Sequence, residues 1–212
     1  MLGSTPGWPA VLADGPVLLR SYRRGDARAW SEVRIANQKW LAPWESSPPG
    51  PWAEMNSARA YLYVYRDMRR AARQGDSMPF AVCLKEDGHE RLVGHLNLGN
   101  IVRRAFSSAY VGYWVDSRVA GRGVIPTALA LAVDHAFGPG GLHRVEINIR
   151  PENGPSRRVV EKLGFREEAY HPRYMHIDGT WRDHLGYAMT SEEVAGEGGL
   201  VARWRRLRTN AN

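Results

Sequence analysis

The sequence predicts an α+β fold in three layers, in which a mixed, mainly antiparallel central sheet of about seven strands has helices on both faces. Two observations lead to this prediction. Strand-like runs in the middle and at the end of the chain are joined by Asp-Gly pairs, which are typical of antiparallel hairpins. Helix-like runs lie before and after them, and one helix follows directly on a strand through a glycine-rich turn.

The strands are predicted from β-branched and aromatic residues and from alternation of apolar and polar positions. The alternation is clearest in residues 143–150, where three aliphatic side chains share one face and Glu146 and Asn148 share the other. Asp87 and Asp178, each followed by glycine, mark two hairpin turns. The predicted strands are residues 17–22, 80–84, 91–98, 110–115, 143–150, 174–177 and 183–189.

The helices are predicted from apolar residues at helical spacing and from capping residues. Asp26 is a candidate N-cap for the first helix, and Asn153 caps the last one, which Gly164 closes. The helix after the glycine-rich turn has Pro126 in its first turn, where a missing amide is tolerated, and ends before Gly138. The other predicted helices are residues 27–38, 54–74 and 155–163.

Length and composition predict a single domain over residues 1–190, followed by a basic tail over residues 191–212. With 212 residues, of which 43% are hydrophobic, the chain supports one sizeable core. Residues 1–16 lack periodicity and are expected to form a loosely held arm. The prolines of residues 41–52 exclude regular structure, so a loop is expected there.

Charge and cysteine content narrow the function classes less than the motifs do. The formal charge of +7 suits a polyanionic cofactor or a partner close to RNA, and it does not distinguish the two. Cys83 is the single cysteine, which excludes an internal disulfide and a cysteine-based zinc site; no metal site is expected. Because the sequence has no run of 18 apolar residues and no leader-like start, we expect a cytoplasmic protein without a membrane segment.

Residues 116–123 form the glycine-rich turn between a strand and an apolar helix. A loop of this kind leaves backbone amides free at the positive end of the helix dipole, and glycines let a ligand approach them closely. The predicted ligand is therefore a phosphate or a diphosphate. Neither the Gly-x-x-x-x-Gly-Lys-Ser/Thr pattern of nucleotide loops nor the Gly-x-Gly-x-x-Gly pattern of dinucleotide sites is present.

Two motifs resemble those of a known superfamily. Arg118-x-x-Gly121-x-Gly123 resembles the Gln/Arg-x-x-Gly-x-Gly/Ala signature of the GNAT acyl-CoA-dependent N-acetyltransferases. Asn153-x-x-Ser156, followed by a helix ending in Leu-Gly-Phe, resembles their second signature and lies 30 residues after Gly123. A narrower resemblance is to the bacterial ribosomal-protein alanine N-acetyltransferases of the Rim type. Its matching segments are residues 17–20, 44–45, 92–94, 112–114 and 179–183.

The resemblance implies a sheet that is splayed at an acyl-CoA site, with acetyl-CoA as cofactor and coenzyme A as product. It implies that the loop amides hold the diphosphate and that the main chain of Val115 meets the pantetheine and the thioester carbonyl. Asn153 and Ser156 would meet the pantetheine arm. The residues implied in cofactor binding are Val115, Arg118, Val119, Ala120, Gly121, Arg122, Gly123, Val124, Asn153 and Ser156.

Transfer of the GNAT kind is a direct attack of a neutral amine on the thioester, which asks for a general base. Glu146 is the candidate because it lies on the polar face of the strand beside the expected splay. By the resemblance, it also matches an acidic position used as base in related N-terminal acetyltransferases. The alternative is a surface carboxylate that pairs with Arg144 or Arg150.

The leaving thiolate benefits from a general acid. Many GNAT enzymes have a tyrosine for this purpose just before the Glu-Lys-Leu-Gly-Phe run, where this chain has Val160. Ser156 and Tyr174 are the candidates that remain. The alternatives are a hydroxyl bonded locally at a helix start for Ser156 and a core side chain for Tyr174. Cys83 lies in an apolar strand and is not expected to form an acetyl intermediate.

The leading hypothesis is transfer of acetyl from acetyl-CoA to the N-terminal alanine of a ribosomal or similar protein. One alternative keeps the enzyme and changes the acceptor to a small amine, an antibiotic or a lysine side chain. Another is a non-catalytic acyl-CoA-binding module. The basic run of residues 203–208 could make a weak RNA contact with Trp204 stacking on a base, or could be a frayed or docked helix.

Overall fold

A computed structural model describes residues 5–47 and 49–210. Parts of three predicted segments lie outside the described residues: residues 1–4 of the arm, residue 48 of the loop and residues 211–212 of the tail. The strands are β1 (Val11–Asp14), β2 (Val17–Ser21), β3 (Met78–Glu86), β4 (His89–Val102), β5 (Ser108–Val115), β6 (Arg144–Ile149), β7 (Arg166–Ile177) and β8 (Thr180–Thr190). The α-helices are α1 (Ala27–Ala36), α2 (Gln38–Leu41), α3 (Trp52–Met55), α4 (Ala58–Gln74), α5 (Val124–Phe137), α6 (Gly154–Leu163), α7 (Glu192–Ala195) and α8 (Leu200–Thr209).

The described residues form one sheet of eight strands in the order β1-β2-β3-β4-β5-β6-β8-β7. The α+β prediction is confirmed, with one strand more than expected. The additional strand is β1, which pairs with β2 from Val11↔Arg20 to Asp14↔Val17. The prediction of a loose arm was therefore wrong for this segment. Its four residues are too few for alternation to be recognised, and it is the pairing with β2 that orders them.

The sheet is antiparallel except where β5 meets β6. These two strands run parallel and pair only from Ser108↔Arg144 to Tyr110↔Glu146. Beyond Tyr110, β5 pairs with β4 alone, up to Val115, while β6 pairs with β8 alone. One edge of each strand is thus left without a partner strand, and the sheet opens into a wedge between them.

Helix α5 packs against the sheet, and the main core lies between them. Nearly every residue on it is buried, and Ala128, Ala132 and Ala136 are fully covered, so the backbone of the helix lies close to the strands. This close packing holds the first turn of α5 at the end of β5. On the opposite face, α1 and α4 cover a smaller core that includes Tyr22 and Tyr61.

One predicted helix cap and one predicted helix were wrong, although α1 begins at Ala27 as expected. The carboxylate of Asp26 does not cap α1, because it pairs with the buried Arg20 guanidinium at 2.8 Å and accepts from the Arg23 amide at 2.7 Å. The helix predicted for residues 54–74 is interrupted. Helix α3 ends before Asn56, and α4 starts at Ala58 after its N-cap Ser57, whose side chain accepts from the Ala60 amide.

The predicted tail is a docked helix over the part of it that the structure describes. Helix α8 packs on α5, and Trp204 on α8 is only 7% exposed. Its indole N–H donates to Thr127 Oγ1 at 2.8 Å, and the Leu200 amide donates to Asp134 Oδ1 at 2.6 Å. A buried Trp204 cannot stack on a nucleic acid base in this conformation. Among the described residues, no helix combines the length and the apolar character that crossing a membrane requires.

Candidate active site

A cleft of about 640 Å³ lies where β5 ends and the wedge in the sheet opens. Its floor is the end of β5, and its walls come from the glycine-rich turn, the first turn of α5, helix α6, the segment after α2, and helix α8. The lining residues are Trp40, Leu41, Trp44, Glu45, Tyr113, Trp114, Val115, Val119, Ala120, Gly121, Arg122, Gly123, Val124, Ile125, Pro126, Asn153, Pro155, Ser156, Arg158, Val159, Lys162, Trp204 and Arg208.

The glycine-rich turn presents unpaired backbone amides to this cleft. Gly121 and Gly123 have φ angles of +79° and +77°, in the left-handed region that favours glycine. Within residues 5–47 and 49–210, the amides of Gly121, Gly123, Val124 and Ile125 have no acceptor. Two of these amides belong to the first turn of α5, where the helix dipole adds partial positive charge. The arrangement is suited to bind a diphosphate.

Asp116 holds the turn in place from below. Its side chain is fully buried and accepts from Asn37 Nδ2 at 3.1 Å and from the Arg118 amide at 3.1 Å. Burial by itself raises the pKa of Asp116, but the hydrogen bonds from Arg118 and Asn37 outweigh it and lower the pKa below its usual range. The Asn37 side chain also accepts from the Ser117 amide at 2.9 Å. Helix α1 and the turn are therefore joined through a buried polar network.

The structure gives Arg118 a different place from the one implied by the resemblance. Its amide and its guanidinium both bond to Asp116, the guanidinium at 2.6 Å, and it does not line the cleft. An amide already bonded to a carboxylate is not free for a diphosphate. The other residues implied in cofactor binding all line the cleft.

Cationic side chains surround the end of the cleft next to these amides. Arg122 comes from the turn, Arg158 and Lys162 from α6, and Arg208 from α8. In the part of the chain that the structure describes, Arg122, Arg158 and Lys162 form no ion pair. Four cations and four free amides match the charge of a ligand that carries several phosphate groups, so coenzyme A fits this end of the cleft.

The middle of the cleft lies between β5 and the start of α6. Asn153 Oδ1 accepts from the Ser156 amide at 3.2 Å and so caps α6, as the sequence predicted. Tyr113 O–H donates to the Ser156 carbonyl at 3.4 Å, and burial raises the pKa of Tyr113 to about 12. Val160, at the position where many related enzymes have a tyrosine, is buried in the core. The hydroxyls along this part of the cleft are those of Tyr113 and Ser156.

Two residues that sequence reasoning did not select for the site, Trp40 and Glu45, close the other end. The Trp40 indole N–H donates to the Val115 carbonyl at 3.0 Å. Glu45 is the only carboxylate among the described residues that line the cleft, and both its oxygens pair with Arg34. Arg34 is itself packed between three tryptophan rings, at 4.7 Å from the ring of Trp52. The carboxylate is therefore held in one orientation.

The segment that carries Glu45 is tied to the β7–β8 hairpin. Ser46 forms an isolated antiparallel bridge with Ile177, and the Gly179 amide donates to Ser47 Oγ at 2.7 Å. These contacts place the hairpin tip next to the end of the cleft that Trp40 and Glu45 close. The only sequence signal for Glu45 was its place after Trp44 in one of the segments shared with the Rim-type enzymes.

Glu146 and Tyr174, two of the predicted catalytic residues, lie outside the cleft lining. Glu146 is opposite Tyr110, at the last pair before β5 and β6 separate, and its carboxylate accepts from Arg144 Nε at 2.9 Å. Tyr174 lies on β7 and stacks on His171 at 4.7 Å between ring centroids. Alternation places Glu146 on the polar strand face, but the ladder holds it at the closed end of the wedge. The third predicted catalytic residue, Ser156, lines the cleft.

Three further observations concern a possible metal site, the single cysteine and a buried amide. Among the described residues, no group of three or more His, Cys, Asp or Glu side chains is arranged to hold a metal ion. Cys83 is fully buried in the core, and burial raises its pKa to about 11. Asn148 follows Glu146 on the same face of β6, beyond the last pair with β5, and its buried Oδ1 has no donor among the described residues.

Comparisons with a family model, with related sequences and with solved structures give consistent matches. The chain matches the family described as Acetyltransferase (GNAT) domain over residues 17–166. RimJ of Mycobacterium smegmatis, solved in complex with CoA-disulfide, is 40% identical and has a TM-score of 0.90, covering 95% of this chain and 96% of that one. The ribosomal-protein-S5-alanine acetyltransferase from Vibrio fischeri has a TM-score of 0.78 over 87% of this chain and 98% of its own, and its 24% identity makes this a likeness of fold alone.

A ribosomal-protein acetyltransferase sequence matches this chain over most of its length. The ribosomal protein uS5 alanine N-acetyltransferase of Escherichia coli (strain K12) is 28% identical over 194 residues, which are 91% of this chain and 97% of the relative. The similarity thus extends beyond the residues matched by the domain family, and at 91% of this chain it includes the β7–β8 hairpin.

Proposed function

The chain belongs to the GNAT acetyltransferase family and is an acetyl-CoA-dependent N-acetyltransferase of the ribosomal-protein acetyltransferase kind, and we propose that it acetylates the N-terminal alanine of a ribosomal protein. The similarity to RimJ and to the uS5 alanine enzyme supports this acceptor. A ribosomal protein is made in the cytoplasm, which is also the compartment that we expect for this chain from its sequence.

The observation that carries the proposal is the distribution of charge along the cleft. Four cations stand at the phosphate end and a single carboxylate, Glu45, at the other end among the described lining residues. One carboxylate suits an acceptor with one ammonium group, such as a protein N-terminus. A polycationic drug would be expected to need several carboxylates around its amines.

An N-terminal amine also depends less on a general base than a lysine does, because more of it is already neutral at pH 7. With a pKa of about 8, roughly a tenth of an α-amino group is already neutral at pH 7, whereas a lysine at about 10.4 is almost wholly charged. We propose that Glu45, held by Arg34, binds the ammonium form and takes its proton. Glu146 stays the alternative base that the sequence predicted. Both carboxylates are paired with an arginine, Glu45 with Arg34 and Glu146 with Arg144, and Glu45 is preferred because only Glu45 lines the cleft.

The acetyl group comes from acetyl-CoA, which when bound supplies it as a thioester. The chain's own part is to hold the reacting groups together and to stabilise the leaving sulfur. We propose that the loop amides hold the diphosphate and that the Ser156 hydroxyl donates to the leaving sulfur. Ser156 is preferred to Tyr174, because only Ser156 lines the cleft.

The experiment that tests the function uses two matched peptides and records thiol release from acetyl-CoA. One peptide has a free N-terminal alanine; the other has a blocked N-terminus and one internal lysine. Turnover of the first peptide alone supports the proposal. Turnover of the lysine peptide, or of neither peptide by a protein that binds acetyl-CoA, contradicts it and favours a lysine, small-amine or binding-module function.

A further inference from the structure

The C-terminal helix contributes a cation to the cleft, from a part of the chain that follows the residues matched by the domain family. We propose that Arg208 of α8 binds the 3′-phosphate of coenzyme A, with Asp14 of β1 as the positioning residue that holds its guanidinium. This inference rests on the proposed use of acetyl-CoA. It adds a binding residue that neither GNAT signature contains.

Helix α8 approaches the cleft at the glycine-rich turn. A Cβ atom added to Gly123 would lie 3.5 Å from Cζ2 of Trp204, so the indole packs directly against the turn. The Trp204 hydrogen bond to Thr127 fixes α8 at the start of α5. Arg208 follows four residues later, on the same face of α8 and about 6 Å further along it. Its side chain is therefore close to the turn without occupying it.

Asp14 and Trp204 hold the Arg208 side chain. Arg208 Nη2 donates to Asp14 Oδ2 at 2.9 Å, and its guanidinium lies 5.4 Å from the centre of the Trp204 ring. Asp14 is only 6% exposed and also pairs with Arg205, at 2.5 Å. Two guanidinium groups share one carboxylate, so a positive charge is left over, and the remaining N–H donors of Arg208 are available to a second anion.

The position of this charge fits the 3′-phosphate better than the diphosphate. The diphosphate has the four free amides of the turn as ligands. Coenzyme A carries one more anionic group, the 3′-phosphate on its ribose, and this group needs cations beyond the turn. Besides Arg122 of the turn, the cations that line the cleft are Arg158, Lys162 and Arg208. Of these three, Arg208 is the one already held by a carboxylate and a ring, so least side-chain entropy is lost when it binds.

The test is the affinity of the purified protein for coenzyme A and for 3′-dephospho-coenzyme A, measured by titration calorimetry. We expect the wild type to bind coenzyme A about tenfold more tightly, as charge-assisted hydrogen bonds to a phosphate predict. The Arg208→Gln variant should bind coenzyme A about tenfold more weakly and 3′-dephospho-coenzyme A as the wild type does. Arg206→Gln is the matched control, since Arg206 is on the same helix and pairs with Glu197.

Four outcomes would overturn or separate the proposals. Equal losses for both ligands in Arg208→Gln would place the contact on another part of the coenzyme, and no loss would remove Arg208 from the site. A wild type that binds both ligands equally would exclude a 3′-phosphate site without reference to any variant, including one that fails to fold. A wild type that binds neither ligand would contradict the proposed use of acetyl-CoA itself.

Discussion

Replacing Trp204 with alanine tests whether α8 is part of the folded domain. Trp204 is 7% exposed, and its indole N–H is bonded to Thr127 Oγ1 at 2.8 Å. Truncating a buried tryptophan costs about 3–5 kcal/mol, because apolar contacts are lost and a cavity is left. For a domain of this size each kcal/mol lowers the melting temperature by about 2–4 °C. We expect a decrease of about 6–20 °C.

The assay is thermal unfolding followed by circular dichroism, with two companion variants. Thr127→Val leaves the buried indole N–H without an acceptor and should cost about 1–3 kcal/mol. Leu207→Ala changes an exposed residue of the same helix, 43% accessible, and should stay within about 0.5 kcal/mol of wild type. A Trp204→Ala melting temperature within about 2 °C of wild type would show that α8 is not docked as described, and would refute the reasoning.

Two further predictions concern the site, and a third concerns the stability contributed by His95 of β4, whose Nδ1 lies 3.0 Å from the Tyr22 hydroxyl. Gly123→Ala places a side chain at φ +77°, at a cost of about 1 kcal/mol, and should weaken coenzyme A binding in calorimetry, whereas Gly112→Ala, with open space around its Cβ, should not. Glu45→Gln should lower kcat on the alanine peptide by about 100-fold and leave the affinity for coenzyme A unchanged. If Glu146→Gln shows that fall in kcat and Glu45→Gln does not, Glu146 is the base. Burial and the charge of Arg34 lower the pKa of His95 to about 4, so the folded state binds its proton less readily than the unfolded state. Stability should therefore be lost as the pH falls from about 6.5 toward 4, and in urea titrations His95→Gln should lose less over that range; an unchanged slope would contradict this.

Local patterns in the sequence were sufficient to predict most of the elements. The Asp87 and Asp178 turns join β3 to β4 and β7 to β8 as expected, and Asn153 caps α6 through the Ser156 amide. Such features depend on neighbouring residues, so they can be recognised in a single sequence. The same reasoning fails where a more distant residue competes for a capping side chain. Asp26 is a residue type that favours N-cap positions, but its carboxylate is bound by Arg20 and does not cap α1.

The assignment of the carboxylates could not be made in the same way. Alternation correctly placed Glu146 on the polar face of β6, because that property repeats every second residue. Whether Glu146 enters the cleft depends on where the pairing of β5 and β6 stops, and three pairs are enough to keep it at the closed end. Glu45 has no local signal of its own and enters the cleft through its pairing with Arg34 and the bridge from Ser46 to Ile177.

The sequence by itself determined the glycine-rich turn, because its glycines and the helix that follows are contiguous and specify their backbone conformation locally. It also determined the order of strands and helices that identifies the family. Only the tertiary structure decided which distant side chains complete the cleft. Trp40, Glu45 and Arg208 lie far from residues 121–125 along the chain. They line the same cleft because of helix packing and of part-buried ion pairs that no local pattern encodes.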